Sequence, residues 1–165
     1  MKILIGLLLC IPLLVFAGLR TYCQITFGID CGGHMERAGS ANSIELAQQE
    51  METVVKYADV NHMTSGYTSI IYNTPSEDVG FWYNNMKASL DELRRVKPTT
   101  AELEKSNMLI KLRESLLHHT KEGTHITVPD GISRFPHNTA FCFFGSISCL
   151  MALVGVILIR VQLDD

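Results

Sequence analysis

Cys23, Cys31 and His34 are the residues whose types and spacing come nearest to reactive chemistry. Two cysteines flanking the short stretch QITFGID can close a small disulfide loop in an oxidising compartment. With His34, beyond the flexible Gly32-Gly33, they offer three soft ligands. That is one short of a structural zinc site, which needs four at characteristic spacing. Two free thiols are the plain alternative. No metal or other cofactor is assigned on this basis. The other three cysteines, Cys10, Cys142 and Cys149, fall in apolar runs and behave there as small apolar residues.

Other constellations are weaker. The chain has no Gly-rich phosphate loop after a strand, no nucleophile elbow and no His-Glu-x-x-His, so no catalytic residue is nominated. The neighbouring acids Glu77 and Asp78 read as first-turn helix chemistry. His118 and His119 are adjacent, hence about 100° apart on a helix, and read as favourable partners of a helix C-terminus when protonated. Phe81, in the run Phe81-Trp82-Tyr83, is a candidate partner contact if it points away from the core. Arg113 is a second one, because it falls inside an apolar arc where a guanidinium needs a partner or an escape to water.

The elements that must position these residues begin with two apolar runs. Residues 140–159, AFCFFGSISCLMALVGVILI, carry no charge. As a helix they cover about 30 Å, the hydrocarbon thickness of a bilayer, and Arg160 follows where it can snorkel. Residues 3–19 are shorter and are read either as an uncleaved anchor or as a signal peptide, with Lys2 as its charged start and Val15-Phe16-Ala17 offering small residues at the offsets for cleavage after Ala17. Phe135, Pro136 and His137 mark where the chain leaves the interface before the second run. Gly145, Ser148, Ala152 and Gly155 recur at spacings of three and four, a small-residue face against which another helix can pack closely. Its partner is either the first run, with Gly6 and Cys10 four apart, or a helix of another protein.

Between the runs lie three amphipathic patterns. Asn42 caps the first, with Glu45 completing a capping box; Ile44, Ala47, Met51, Val54, Val55 and Ala58 share one arc. The second opens at Thr74-Pro75 and runs to about Val96, with Val79, Trp82, Tyr83, Met86, Leu90, Leu93 and Val96 on one arc. The third opens at Thr99, with Glu102 again at capping-box spacing, and reaches His118 or His119. A short connection at Lys97-Pro98 makes the second and third antiparallel. Residues Tyr67–Tyr72 and Thr124–Val128 are rich in β-branched and aromatic side chains and read as short strands that pair beside the helices.

The expected fold is therefore mainly α: two transmembrane helices flanking a small soluble helical domain of three amphipathic helices, with an antiparallel hairpin between the second and third and two short strands. The boundaries are 1–19 for the N-terminal anchor, 20–43 for a juxtamembrane connector, 44–138 for an extracytoplasmic helical domain, 139–160 for the C-terminal helix and 161–165 for a tail. Residues 20–138 carry 12 Lys/Arg against 15 Asp/Glu, evenly scattered. No basic stripe points to nucleic acid. A short N-terminus ahead of an apolar run places the domain outside the cytoplasm. The absence of an Asn-x-Ser/Thr acceptor points to a bacterial inner membrane. The expected role is a non-enzymatic interaction module, an accessory or assembly subunit of a membrane complex. Its partners are the lipid bilayer and either a membrane protein or a second copy of the chain. The alternatives are a thiol/disulfide or metal-binding envelope protein using Cys23, Cys31 and His34, and a membrane-interface enzyme whose site the sequence does not reveal.

Overall fold

The computed structural model describes residues 2–71, 73–121, 123–135 and 138–164. It is mainly helical, with one two-stranded antiparallel sheet. Tyr72, Pro136 and His137 lie outside the described residues.

The first apolar run is the beginning of a longer rod. Helix α1 spans Lys2–Phe27, passes through a π turn at Gly28–Gly32 and continues directly into α2, Gly33–Gly39. The connector expected over 20–43 is thus helical as far as Gly39. Each interior glycine costs a helix about 1 kcal/mol relative to alanine. Burial of one stripe offsets that: Cys23, Phe27, Cys31, Met35 and Ala38 recur every three or four residues, and all are buried. The rod ends where Arg113 reaches it. Its Nε donates to the Gly39 carbonyl at 2.9 Å, satisfying a helix-end acceptor with a cation at the favourable end of the dipole.

Helix α3, Ile44–Val60, buries the predicted arc and Glu50 in addition. Its cap is Ser43, whose Oγ accepts from the Leu46 N–H at 3.3 Å, in place of Asn42. Helix α4, Val79–Arg95, starts later than Thr74: Pro75–Glu77 form a separate 3₁₀ turn, and Asp78 caps the helix by accepting from the Phe81 N–H at 2.9 Å. Helix α5, Glu102–Leu116, lacks the expected Thr99 cap. The preceding residues close a turn of their own, with Thr100 Oγ1 accepting from the Lys97 N–H at 3.1 Å. Helices α4 and α5 run in opposite directions, since Glu92 pairs with Lys111 while Phe81, Trp82, Asn85 and Met86 line one hollow with Ser115. Even so, α5 packs more closely on α2 than on α4. Its apolar residues are only partly used in the core: Leu112 and Leu116 are buried, whereas Leu103 and Ile110 face out.

The strands are placed differently from expectation. Strand β1, Leu117–Thr120, follows α5 without a break and pairs with β2, Gly123–Ile126, as a local hairpin. His118 and His119 therefore stand in a strand, opposite His125 and Thr124, and do not serve a helix end. The described part of Tyr67–Tyr72 forms no strand; Tyr67 makes one isolated bridge, to Asp78. A hairpin between neighbouring segments closes a shorter loop than pairing across some fifty residues, and so costs less chain entropy.

Glu50 ties the rod to α3. Its carboxylate is buried and accepts from His34 Nδ1 at 2.6 Å while pairing with the Arg37 guanidinium. Both partners come from α2 and are more exposed than Glu50. By contrast, the Glu52–Arg94 pair lies in water on both sides. We expect Glu50→Ala to destabilise the protein by about 1–3 kcal/mol through lost charge-assisted hydrogen bonds, with Glu50→Gln losing less and Arg94→Ala near wild type. Urea denaturation in detergent, followed by circular dichroism, measures this; equal effects of Glu50→Ala and Arg94→Ala would contradict it.

Candidate functional site

The two apolar helices meet each other before anything else. Helix α6, Thr139–Asp164, packs antiparallel along α1. Both helices contain an 18-residue window of mean hydropathy 2.5 and are long and apolar enough to cross a membrane. Their contact is built on small residues. A Cβ placed on Gly155 would lie 2.6 Å from the Gly6 carbonyl oxygen, and one on Gly6 would lie 2.6 Å from that of Gly155. A Cβ on Gly145 would strike the Phe16 ring at 2.8 Å. Ser148 is fully buried and returns its hydroxyl to the Phe144 carbonyl at 2.7 Å. Cys10 Sγ lies 4.0 Å from the Ala152 carbonyl. The four small residues singled out from spacing thus face α1 of the same chain. For helices in lipid, which have no hydrophobic drive towards each other, van der Waals packing at close backbone approach is one source of association.

The polar junction sits where the pair joins the rest of the molecule. Arg20, on α1, sends Nη1 to Asn138 Oδ1 at 2.6 Å and to Ser133 Oγ at 3.3 Å, and Nη2 to the Gly131 carbonyl at 3.0 Å. Its guanidinium also lies 5.4 Å from the centroid of Phe141, in the first turn of α6, within cation–π range. Asn138 passes the link on by donating Nδ2 to the Thr68 carbonyl at 2.8 Å. Thr68, itself buried, donates Oγ1 to the Asp130 carbonyl at 2.6 Å. Backbone bonds from Arg134 to Cys23 and from Asp130 to Ser76 complete the node. It gathers α1, the segment before α6 and the loop before α4 around one guanidinium.

The thiols do not form the disulfide considered above. Cys23 and Cys31 are free. Eight helical residues separate their Cα atoms by about 12 Å, against the 4.4–6.8 Å or so a disulfide requires. Burial, followed by the nearby Asp30 charge, pushes the Cys31 thiol up to about 12, so it is un-ionised at neutral pH. The Nδ1 of His34 is engaged by Glu50. Among the described residues, no three of His, Cys, Asp and Glu come together as a set able to hold a metal ion.

No family model, curated protein or solved structure matches the chain.

Phe81 is 64% exposed at the start of α4, available to a partner. Arg113 is exposed but commits its Nε to Gly39 within the chain. In the core, Phe27 of α1 sits edge-on to Tyr57 and tilted against Trp82. The Tyr57 hydroxyl and the Trp82 indole N–H are buried there without a protein partner among the described residues, and burial pushes the Tyr57 hydroxyl up to about 12. The hollow between α4 and α5, about 250 Å³, contains two charged side chains, Glu92 and Lys111, which are paired with each other at 2.8 Å.

Sequence reasoning missed Arg20, Asn138 and Glu50. Glu50 had a signal: on a helical wheel it stands about 40° from Val54, at the rim of the apolar arc. Arg20 and Asn138 had none, because a contact between residues 118 apart leaves no local spacing.

Two measurements test this geometry. Gly155→Leu puts a side chain where a backbone carbonyl already lies, so we expect a loss of about 1–3 kcal/mol from overpacking and a lower unfolding temperature in detergent; Ile157→Leu, on the outer face, serves as the control. Cys31, deprived of about a thousandfold of its thiolate by that raised pKa, should resist maleimide in the native protein and react on denaturation. Rapid native labelling of Cys31 would contradict the burial.

Proposed function

We propose that this protein is a membrane-anchored, non-enzymatic interaction module, an accessory or assembly subunit of a membrane protein complex, with its helical domain outside the cytoplasm in a bacterial inner membrane. The observation that carries the reading is the manner of attachment. The paired apolar helices satisfy each other along their small-residue faces and leave Leu, Ile, Val and Phe side chains on the outside, as lipid requires. The domain is not strung from them on a flexible linker. One helical rod leads into its core, and the Arg20 node clamps the return path. Such a mount fixes the height and orientation of a surface near the bilayer, which suits a neighbouring membrane protein better than a diffusing substrate.

The disposition of charged groups supports the same reading over an enzyme. Glu50, Asp59, Glu92 and Glu52 are engaged by His34 and Arg37, Tyr83, Lys111 and Arg94 respectively. These are bonds that tie helices to one another. An active site would instead leave titratable groups unpaired in a cleft, whereas the two that line the α4–α5 hollow, Glu92 and Lys111, are paired with each other. The thiol or metal alternative is not favoured, because Cys31 is fully buried and His34 is held by Glu50.

Alkaline carbonate washing of membranes should leave the full chain in the pellet, as expected for helices that cross the bilayer. Gentle detergent extraction should then recover it with a stoichiometric membrane-protein partner or as a homo-oligomer. Release by carbonate would overturn the anchoring, and reproducible recovery as a lone monomer would overturn the interaction role.

A further inference from the structure

The Arg20 node brings an apolar loop to the mouth of the helix pair. Asn138, whose Nδ2 holds the Thr68 carbonyl at 2.8 Å, immediately precedes α6. Two residues beyond Thr68 the chain presents Ile70 and Ile71, 41% and 78% exposed. Each further residue reaches at most about 3.5 Å, so both isoleucines stay within about 11 Å of Thr68, which Asn138 holds at the start of α6. Thr68 itself is fixed from three sides, by Asn138, by the Asp130 carbonyl and through its N–H by Glu77. The loop is thus held in place at its base while its apolar side chains point outwards.

Two features identify what covers them. Residues 64–76 contain no Asp, Glu, Lys or Arg, so the loop can leave bulk water without desolvating a charge. Further apolar surface lies at the end of α6 to which Asn138 ties the loop. Phe135, 53% exposed, packs against Phe141, and with Ala140 and Phe144 they line an open apolar hollow at the same end of the helix. Tyr22, exposed just beyond Arg20 on α1, adds an aromatic of the type enriched at membrane–water boundaries. An irregular backbone does not enter the hydrocarbon layer exposed to lipid, so the loop backbone rests among headgroups and only its side chains reach the acyl chains.

We infer that the loop carrying Ile70 and Ile71 is a third membrane contact, docked into the interfacial layer of the bilayer that holds α1 and α6. This rests on the membrane reading above. Together with the node, it gives the domain three points of contact and so one fixed face towards the lipid.

The test uses the full chain in mixed phosphatidylcholine–phosphatidylglycerol vesicles whose acyl chains are brominated near the ester end in one sample, which reads the loop, and near the terminal methyl in another, which reads the middle of α6. Bromine quenches tryptophan emission only at close range. The native Trp82, 5% exposed in the core, provides the reference signal. Three variants are compared: Ile71→Trp in the loop, Leu150→Trp on the outer face of α6, and Leu103→Trp on α5. The emission added by Ile71→Trp should be quenched by about half, as for a group about 5–10 Å into the headgroup boundary, with that added by Leu103→Trp unaffected. Ile70→Trp should follow Ile71→Trp more weakly, and provides a second reading if one variant fails to fold. Quenching in Leu150→Trp without quenching in either loop variant overturns the third contact and leaves the anchored helices standing. Equal quenching in Leu103→Trp also overturns it, since the domain would then lie on the membrane without a preferred face. Loss of quenching in all variants overturns the membrane reading itself.

Discussion

A guanidinium at the end of an apolar helix has few resting places. In hydrocarbon it is costly, and in water it does nothing for the fold. Arg20 resolves this by gathering Asn138, Ser133, the Gly131 carbonyl and the Phe141 ring around its charge. The consequence reaches well beyond one side chain. The residues it collects are those that bring the chain back from the domain to α6, so the end of the first apolar helix and the start of the second are fixed to the same cation. The register of the helix pair follows: with Arg20 beside residue 138, antiparallel packing puts Phe16 beside Gly145, Cys10 beside Ala152 and Gly6 beside Gly155. A slip by one residue would bring side chains onto the Gly6–Gly155 crossing, where there is no room for a Cβ.

The other end of the same helix carries the domain. Local propensity opposes a helix through Gly28, Gly32, Gly33 and Gly39, and a π turn marks the place where the winding changes. Burial decides in favour of the helix. Phe27, Cys31 and Met35 enter a core shared with α3 and α4, and fully burying a large apolar side chain contributes about 1.5–3 kcal/mol, more than a glycine costs. The glycines also have a use. Gly39 lets Leu117 approach to within 2.8 Å of where a Cβ would stand, and Gly32 does the same for Ile126. The hairpin can therefore lie flat on the rod. The glycine pattern that reads as a flexible connector in the sequence is, in the folded chain, a close-packed surface.

That contrast explains which parts of the structure were legible. The single-sided arcs of α3 and α4 were, because one face packs and the other is wet, and spacing records this directly. The small-residue face of α6 was legible as a face; only the structure says that α1 of the same chain occupies it. Helix starts were misplaced by one to four residues, because Asn42, Thr74 and Thr99 all have the chemistry of a cap while a nearby Ser43 or Asp78, or a local turn at Lys97–Thr100, takes the role. The third helix was overextended: His118 and His119 lose their helical neighbours once Leu117 enters the core and the chain folds back. Glu50 was hidden by its type, since an acid at the rim of an apolar arc looks like the start of the wet face. The Arg20 node could not be read at all, being a meeting of residues more than a hundred positions apart.

The rod and the node together constrain how the domain can work. If α1 were followed by a loose connector, the domain would sample many orientations, and any partner would have to meet the entropy cost of choosing one. Here the choice is made within the chain. The surfaces left over are then well defined: the outer faces of α1 and α6 suit lipid or another apolar helix, and Phe81, with Leu103 and Ile110 of α5, lies on the domain's exposed faces. The small-residue stripe is no longer open to a second protein, because Gly145 and Gly155 are already filled by Phe16 and Gly6. On the proposed membrane reading, a partner in the bilayer would meet the bulky faces of the pair, and one outside it would meet the domain in the orientation that the rod dictates.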